Sequence, residues 1–366
     1  MGEQHLWMHQ NLGNYVTFVP RWAHKPTQTP PQSTMAHNNA QPISLADIKA
    51  PLAGELDKYE EFLKQALHSE SPYFNDILQY IFDNRGKGVR PTLVMLFAGV
   101  FGGGKPFSSR VHLAASLIEL IHTASLVHDD IIDNATMRHG QTSVNSKWGG
   151  RNAILTGDFI LSRIFEMGME SLEFDILTYV SHSIKWLCEG EVIQDEQTKT
   201  LAMTHERYYD IIDKKTASLL GISCGVGALA AKAPAAEVDK AYHIGRAMGM
   251  AFQIKDDILD YATTDQTGKP TCADLREHKI TLPLLEVMKE CTPQEVEQIK
   301  AMVRRADDED IASLRQIVAS HNGAERAEQV MNDFLTEAKA LLADYPDSPY
   351  RTSLCLMCDF LAQRKK

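Results

Sequence analysis

Two short stretches limit what this chain can become. "LVHDDIIDNA" at 126–135 and "FQIKDDILDY" at 252–261 each set three aspartates into an apolar run. In the first they are Asp129, Asp130 and Asp133; in the second they are Asp256, Asp257 and Asp260, 256 − 129 = 127 residues further on. At 3.6 residues per turn, the first and third aspartate of each set lie one turn apart on one helical face. Carboxylates so placed repel one another unless a cation intervenes. Mg²⁺ meets that need, because it is hard, prefers oxygen, and takes one or two carboxylates with waters and substrate phosphates. The matched spacing predicts two acidic helices facing each other across a metal site that binds a polyphosphate.

The surrounding sequence is helical. "SLADIKAPLAGELDKYEEFLKQAL" opens on Ser44, a cap candidate, and keeps apolar residues three to four apart. "SSRVHLAASLIELIHTASLVHDDIID" is apolar nearly all round, as in a helix buried inside a bundle. Residues 153–188, 206–231, 236–261, 281–290, 293–305 and 324–344 also read as helices, and no stretch alternates with period two over a strand length. The expectation is an all-α fold, a single large helical domain over 43–366. Residues 1–42, rich in Pro, Gln, Thr and Asn with Glu3 as the one acid before Ile43, read as a disordered or targeting extension.

Composition removes several function classes. Thirty-seven Lys and Arg against 48 Asp and Glu leave a net charge of −11, the wrong sign for nonspecific binding to nucleic acid. No run of about 18 uncharged apolar residues predicts a transmembrane segment. The six cysteines are scattered and read as reduced thiols; Cys355 and Cys358 form a C-x-x-C, but it lies in helical sequence with no second pair. "ADDEDI" at 306–311 lacks apolar interleaving and reads as a solvated face. Neither acidic set has the glycine turn of an EF-hand loop.

A diphosphate ligand also needs bases. "RGKGVRP" supplies Lys87 and Arg90, with Pro91 placed to open a helix. Arg138 follows Asp133 by five residues, one and a half helical turns on. "DKKTASL" places Lys215 and Thr216 on a helix, and "TGKP" and "REHKITLP" add Lys269 and Lys279.

These motifs, in this order over roughly residues 50–366, resemble the trans-isoprenyl diphosphate synthase family. "DDIID" at 129–133 and "FQIKDDILD" at 252–260 match its two aspartate-rich motifs. Gly86, Lys87 and Arg90 match its G-K-x-x-R, "GEVIQ" at 190–194 its G-E-x-x-Q, and Lys215-Thr216 its K-T. "FDNRGKGVRP" and "TSVNSKWGGRNAILTGDFILS" are most similar to the long-chain, solanesyl- or decaprenyl-type synthases of quinone side chains. The resemblance implies a helical bundle of the isoprenoid synthase type with a central cavity, and a homodimer. It implies that an allylic diphosphate ionises, that isopentenyl diphosphate attacks the cation, and that a long polyprenyl chain grows, for ubiquinone. Asp129, Asp130, Asp133, Asp256, Asp257 and Asp260 would hold Mg²⁺, about three ions per site. Arg138, Lys215 and Lys269 would bind the allylic diphosphate, with Lys279 near by. Lys87, Arg90 and His122 would bind isopentenyl diphosphate, and Thr216 and Gln253 would face the cation. Ala124 and Ser125, small residues five and four positions before Asp129, would leave the elongation path open, with Ile121 deeper along it. Product release at a membrane surface, and residence in the mitochondrion or the cytoplasm, complete the expectation.

The chain departs from the family pattern at four places. His139 stands where a second arginine follows Arg138, Lys255 precedes Asp256, and Cys272 and His278 replace common loop glycines. Three other functions share parts of the signature. A terpene cyclase uses one aspartate-rich helix but needs no isopentenyl site. A geranylgeranyl or farnesyl synthase makes a shorter product. A non-catalytic partner subunit usually loses the aspartates that this chain keeps.

Overall fold

The helices form where the sequence places caps and apolar stripes, in this computed structural model describing residues 43–262 and 272–364. Ser44 caps α1 (Leu45–Lys49) through a reciprocal capping box with Asp47. A short 3₁₀ turn leads into α2 (Ala53–Ala66), followed by α3 (Pro72–Asp83) and α4 (Val89–Gly102), whose first turn contains Pro91. The apolar run becomes α5 (Ser109–Ile132), a 24-residue helix with 15 residues buried. By length and composition alone α5 could cross a membrane, but its burial inside the bundle identifies it as a core helix.

After α5 come α6 (Val144–Trp148), α7 (Gly150–Glu170), α8 (Phe174–Thr200) and α9 (His205–Ile212). A π-helical turn, Asp213–Ala217, joins α9 to α10 (Ser218–Ala230), which leads on to α11 (Ala235–Asp260). α10 is buried at all but one of its positions and packs against α4, α5, α8 and α11, so it is the axis of the bundle. Its small residues permit that packing: a Cβ on Gly227 would lie 2.2 Å from the Val94 carbonyl oxygen of α4. α12 (Ala273–Arg276), α13 (Leu282–Met288), α14 (Pro293–Arg305), α15 (Asp308–Ser320), α16 (Gly323–Leu342) and α17 (Pro349–Gln363) complete the described chain. These elements belong to one compact unit, Pro42–Lys366.

Three expectations need correction. The helix read over 153–188 is two, broken at Ser171–Glu173, where Leu172 takes a left-handed φ of 58°. Apolar periodicity continues across that break without a glycine or proline to mark it. A two-residue antiparallel ladder, β1 (Met137–Arg138) with β2 (Gln141–Thr142), interrupts the all-helical pattern. The reading of 306–311 as a solvated face holds only in part: Asp307, Asp308 and Glu309 are exposed, with Asp307 capping α15, but Asp310 is buried and accepts from Arg305 Nε at 2.8 Å. The expected extension at 1–42 and Lys269 both lie outside the described residues. Cys355 and Cys358 are free thiols on α17.

Candidate active site

The first acidic set ends α5. Burial pushes the Asp129 carboxyl up to about 6; the Glu191 charge adds to the rise, while Lys215 and Arg138 oppose it. Asp130 is buried and accepts from Arg138 Nε at 2.8 Å. That contact corrects the expected placement of Arg138 along a continued helix. Asp133 is instead the C-cap, Asn134 turns the chain with a positive φ, and Arg138 lies on β1. The hairpin loop is His139-Gly140, with φ values of 50° and 79°, as a type I′ turn requires. It folds Arg138 back over the helix end.

α8 and the π-helical turn supply the next wall. Lys215 Nζ donates to Gln194 Oε1 at 3.0 Å and pairs with Glu191 Oε2 at 2.5 Å. Only glycine at 190 allows this approach, because a Cβ there would meet Lys215 Cγ at 2.8 Å. From the same turn, Thr216 Oγ1 donates to Gln253 Oε1 at 2.8 Å on α11. Gln253 Nε2 donates to Asp257 Oδ1 at 2.9 Å, and Tyr208 OH to Asp257 Oδ2 at 2.6 Å. Burial, then the charge of Asp274, holds the Asp257 carboxyl well above the usual carboxylate range. Asp260 accepts from the Ala273 and Asp274 amides at 2.9 and 3.1 Å, and Asp256 pairs with Arg364 at 2.7 Å. Lys279, paired with Glu277, is held in its charged form by Glu277, Asp274 and, across the cleft, Asp133.

The two acidic sets thus approach the Lys215–Thr216 turn from either side. Among the described residues, no three His, Cys, Asp or Glu side chains converge to form a closed metal cage. The donor set still fits a hard divalent ion of the Mg²⁺ kind, which holds only one or two carboxylates and completes its shell with water and substrate phosphate. Raised carboxyl pKa values at Asp129, Asp257 and Asp260 are what acids show when held in a low dielectric without a cation.

A cleft beside the first set is lined by His122, Arg138 and His139. Arg90, on α4, backs this wall, with Nη1 2.9 Å from His122 Nε2 and its buried Nε without a partner. Burial, then the Arg90 charge, holds the His122 pKa well below its ordinary value. His122 is therefore neutral; its Nε2 accepts from Arg90, and it adds no positive charge of its own. His139 Nδ1 donates to the Asn84 carbonyl at 3.3 Å. Lys87 lies on a neighbouring cavity rather than in this cleft. Ala124 and Ile121 are each 1% exposed in the core, and Ser125 is half-buried, its hydroxyl donating to the His122 carbonyl at 2.8 Å.

The departures resolve individually. Lys255 points away from the site, 3.4 Å from Glu328 on α16. Cys272 and His278 both have positive φ, 55° and 59°, a conformation that glycine adopts without cost. Several site neighbours carry no signal in the aspartate pattern: Glu191 and Gln194, within "GEVIQ", and Tyr208, Asp274 and Arg364. Glu191 and Gln194 lie in a motif singled out in the sequence, whereas Tyr208 and Arg364 lie in none.

Comparison with known proteins adds to this geometry. Residues 71–320 match the family described as polyprenyl synthetase. The chain is 31% identical over 329 residues to the octaprenyl diphosphate synthase of Escherichia coli (strain K12), covering 88% of this chain and 100% of that protein. A polyprenyl synthase of Caulobacter crescentus CB15, solved with calcium and isoprenyl diphosphate, superposes with a TM-score of 0.80 at 27% identity, covering 89% of this chain and 100% of that one. A decaprenyl diphosphate synthase of Rhodobacter capsulatus superposes with a TM-score of 0.80 at 28% identity, covering 87% and 98%.

Proposed function

Because the chain belongs to the polyprenyl synthetase family, we propose that it uses Mg²⁺ to add isopentenyl diphosphate units to an allylic diphosphate, making a long all-trans polyprenyl diphosphate. The observation that carries this reading is the Lys215–Thr216 turn set between two aspartate-rich helices. The octaprenyl and decaprenyl products in the names of two similar proteins, and the small Ala124, support a long product. Calcium in a similar structure supports a divalent ion. Use of the product as the ubiquinone side chain, and residence in the mitochondrion or the cytoplasm, belong to the same proposal; cell fractionation tests the second.

Heterolysis of the allylic C–O bond leaves a carbocation and a diphosphate. When bound, Mg²⁺ would supply charge neutralisation on that leaving group; the six aspartates would hold it. Lys215, Arg138 and Lys269 would bind the allylic diphosphate, with Lys279 across the cleft from Asp133. Arg90 and Lys87, with His122 holding Arg90, would seat isopentenyl diphosphate so that its double bond attacks the cation. Thr216 and Gln253 would turn oxygen lone pairs toward the positive carbon, and departing diphosphate would take the proton lost from the new unit. Purified chain with radiolabelled isopentenyl diphosphate and an allylic primer should yield a labelled long polyprenyl product, sized by mass analysis. No incorporation by the chain alone, with activity restored by a second subunit, would identify a non-catalytic partner.

One face of α7 supports a homodimer. Ile154, Leu155, Phe165 and Met169 are 48–55% exposed and fall within an arc of about 100° at 100° per residue. A second copy of the chain would cover this stripe, and a monomer at micromolar concentration by light scattering would refute it. Product release at a membrane surface is a further part of the proposal, tested by adding vesicles to the assay.

His139 yields a further prediction. His139→Arg would set a permanent charge beside Arg138 and should lower KM for isopentenyl diphosphate. An unchanged KM in that variant would remove His139 from the substrate contacts.

A further inference from the structure

Beside the cleft of Arg90 and His122 lies a second cavity of ≈ 190 Å³, under the Gly86–Gly88 turn. Glu119 lines both cavities, although it belongs to none of the motifs above. It stands three residues before His122 on α5 and is 4% exposed. Among the described residues its carboxylate makes no hydrogen bond or ion pair, so its burial must be compensated by charges further off. Burial pushes the Glu119 carboxyl above its ordinary range and Glu60 adds to the rise, while the charges of Arg90, Arg85 and Lys49 oppose it. Arg85 is already paired with Glu60. Arg90 touches only neutral His122, and Lys49 Nζ donates to the Lys87 carbonyl at 2.8 Å. Glu119 is therefore the counter-charge shared by two cations. One is the arginine of the cleft; the other pins the turn that carries Lys87, where Gly88 has a φ of 64°.

We propose that Glu119 and Lys49 are positioning residues of the isopentenyl diphosphate subsite, Glu119 fixing Arg90 and Lys49 while Lys49 fixes the Gly86–Gly88 turn. The inference rests on the subsite assigned above. Simple repulsion between Glu119 and a diphosphate predicts the opposite sign, since removing the acid would then tighten binding. Positioning predicts loss, because a buried arginine and a lysine without their counter-charge reorient toward solvent.

Steady-state kinetics with each substrate varied separately tests this. Glu119→Gln should raise KM for isopentenyl diphosphate about tenfold, with kcat and the allylic KM changed by less than about threefold. Lys49→Gln, on a partly exposed side chain, should shift the same KM in the same direction by about threefold. The double variant should be no worse than Glu119→Gln alone, because both act through one carboxylate. An unchanged or lower KM for isopentenyl diphosphate in Glu119→Gln overturns the proposal, as does an equal fall in every parameter. If Glu119→Gln does not fold, an unchanged KM in Lys49→Gln overturns it alone. A wild-type protein that consumes no isopentenyl diphosphate would refute the functional reading instead.

Discussion

Alanine at Asp129 or at Asp256 should lower turnover by about 10³-fold or more while the fold stays intact. The expectation for the fold follows from the direction in which burial moves Asp129. Its carboxyl titrates at about 6 in the folded protein, above the ordinary 3.8. An acid whose folded pKa is raised binds more protons folded than unfolded, so in the metal-free protein it opposes folding at neutral pH. That penalty fades as pH falls from about 6 toward 3.8. Asp129→Ala should therefore melt no lower than wild type at pH 7 without metal. Asp256→Ala loses its pairing with Arg364, a partly exposed contact of modest worth. Activity and stability thus separate, and thermal melts beside turnover at saturating Mg²⁺ read them apart. Near-wild-type turnover in both variants would exclude a metal role for these sets.

Ala124→Phe should shorten the main product to about three to five isoprene units without abolishing condensation. Ala124 lies five residues before Asp129, about 7.5 Å along the axis at 1.5 Å per residue. It is buried on α5 with Ile121 one turn deeper. The competing role for so small a buried residue is close helix packing. In that case phenylalanine overpacks the core, costing about 1–3 kcal/mol, and leaves product length unchanged. Product mass and melting temperature distinguish the two. Full-length polyprenyl product from a destabilised variant would place the elongation path along another face.

What was legible in the sequence was local and periodic. Ser44 as a cap, the buried run from Ser109, and the two acidic sets all follow from spacing within a few residues. What was not legible depended on distance. Lys49 reaches Lys87 across 38 residues, and Arg364 lies 108 positions beyond Asp256; no pattern within either segment announces these contacts. Arg138 is an intermediate case. The His139-Gly140 pair is a fair hairpin signal, but the turn is so short that strand periodicity cannot develop around it. The break at Leu172 has no signal at all, since a leucine with positive φ replaces the expected glycine.

The π-helical turn at Asp213–Ala217 has a consequence for phase. Tyr208 and Thr216 are eight residues apart and would stand about 80° apart around a regular α-helix. Both nevertheless reach α11, Tyr208 at Asp257 and Thr216 at Gln253, which are one turn apart there. The wider turn absorbs the angular mismatch between the two rows. The length of this segment is therefore as constrained as the identities of Lys215 and Thr216 within it. Losing a single residue would leave every functional group in the chain and rotate one row out of alignment with the other, a fault of timing rather than of chemistry.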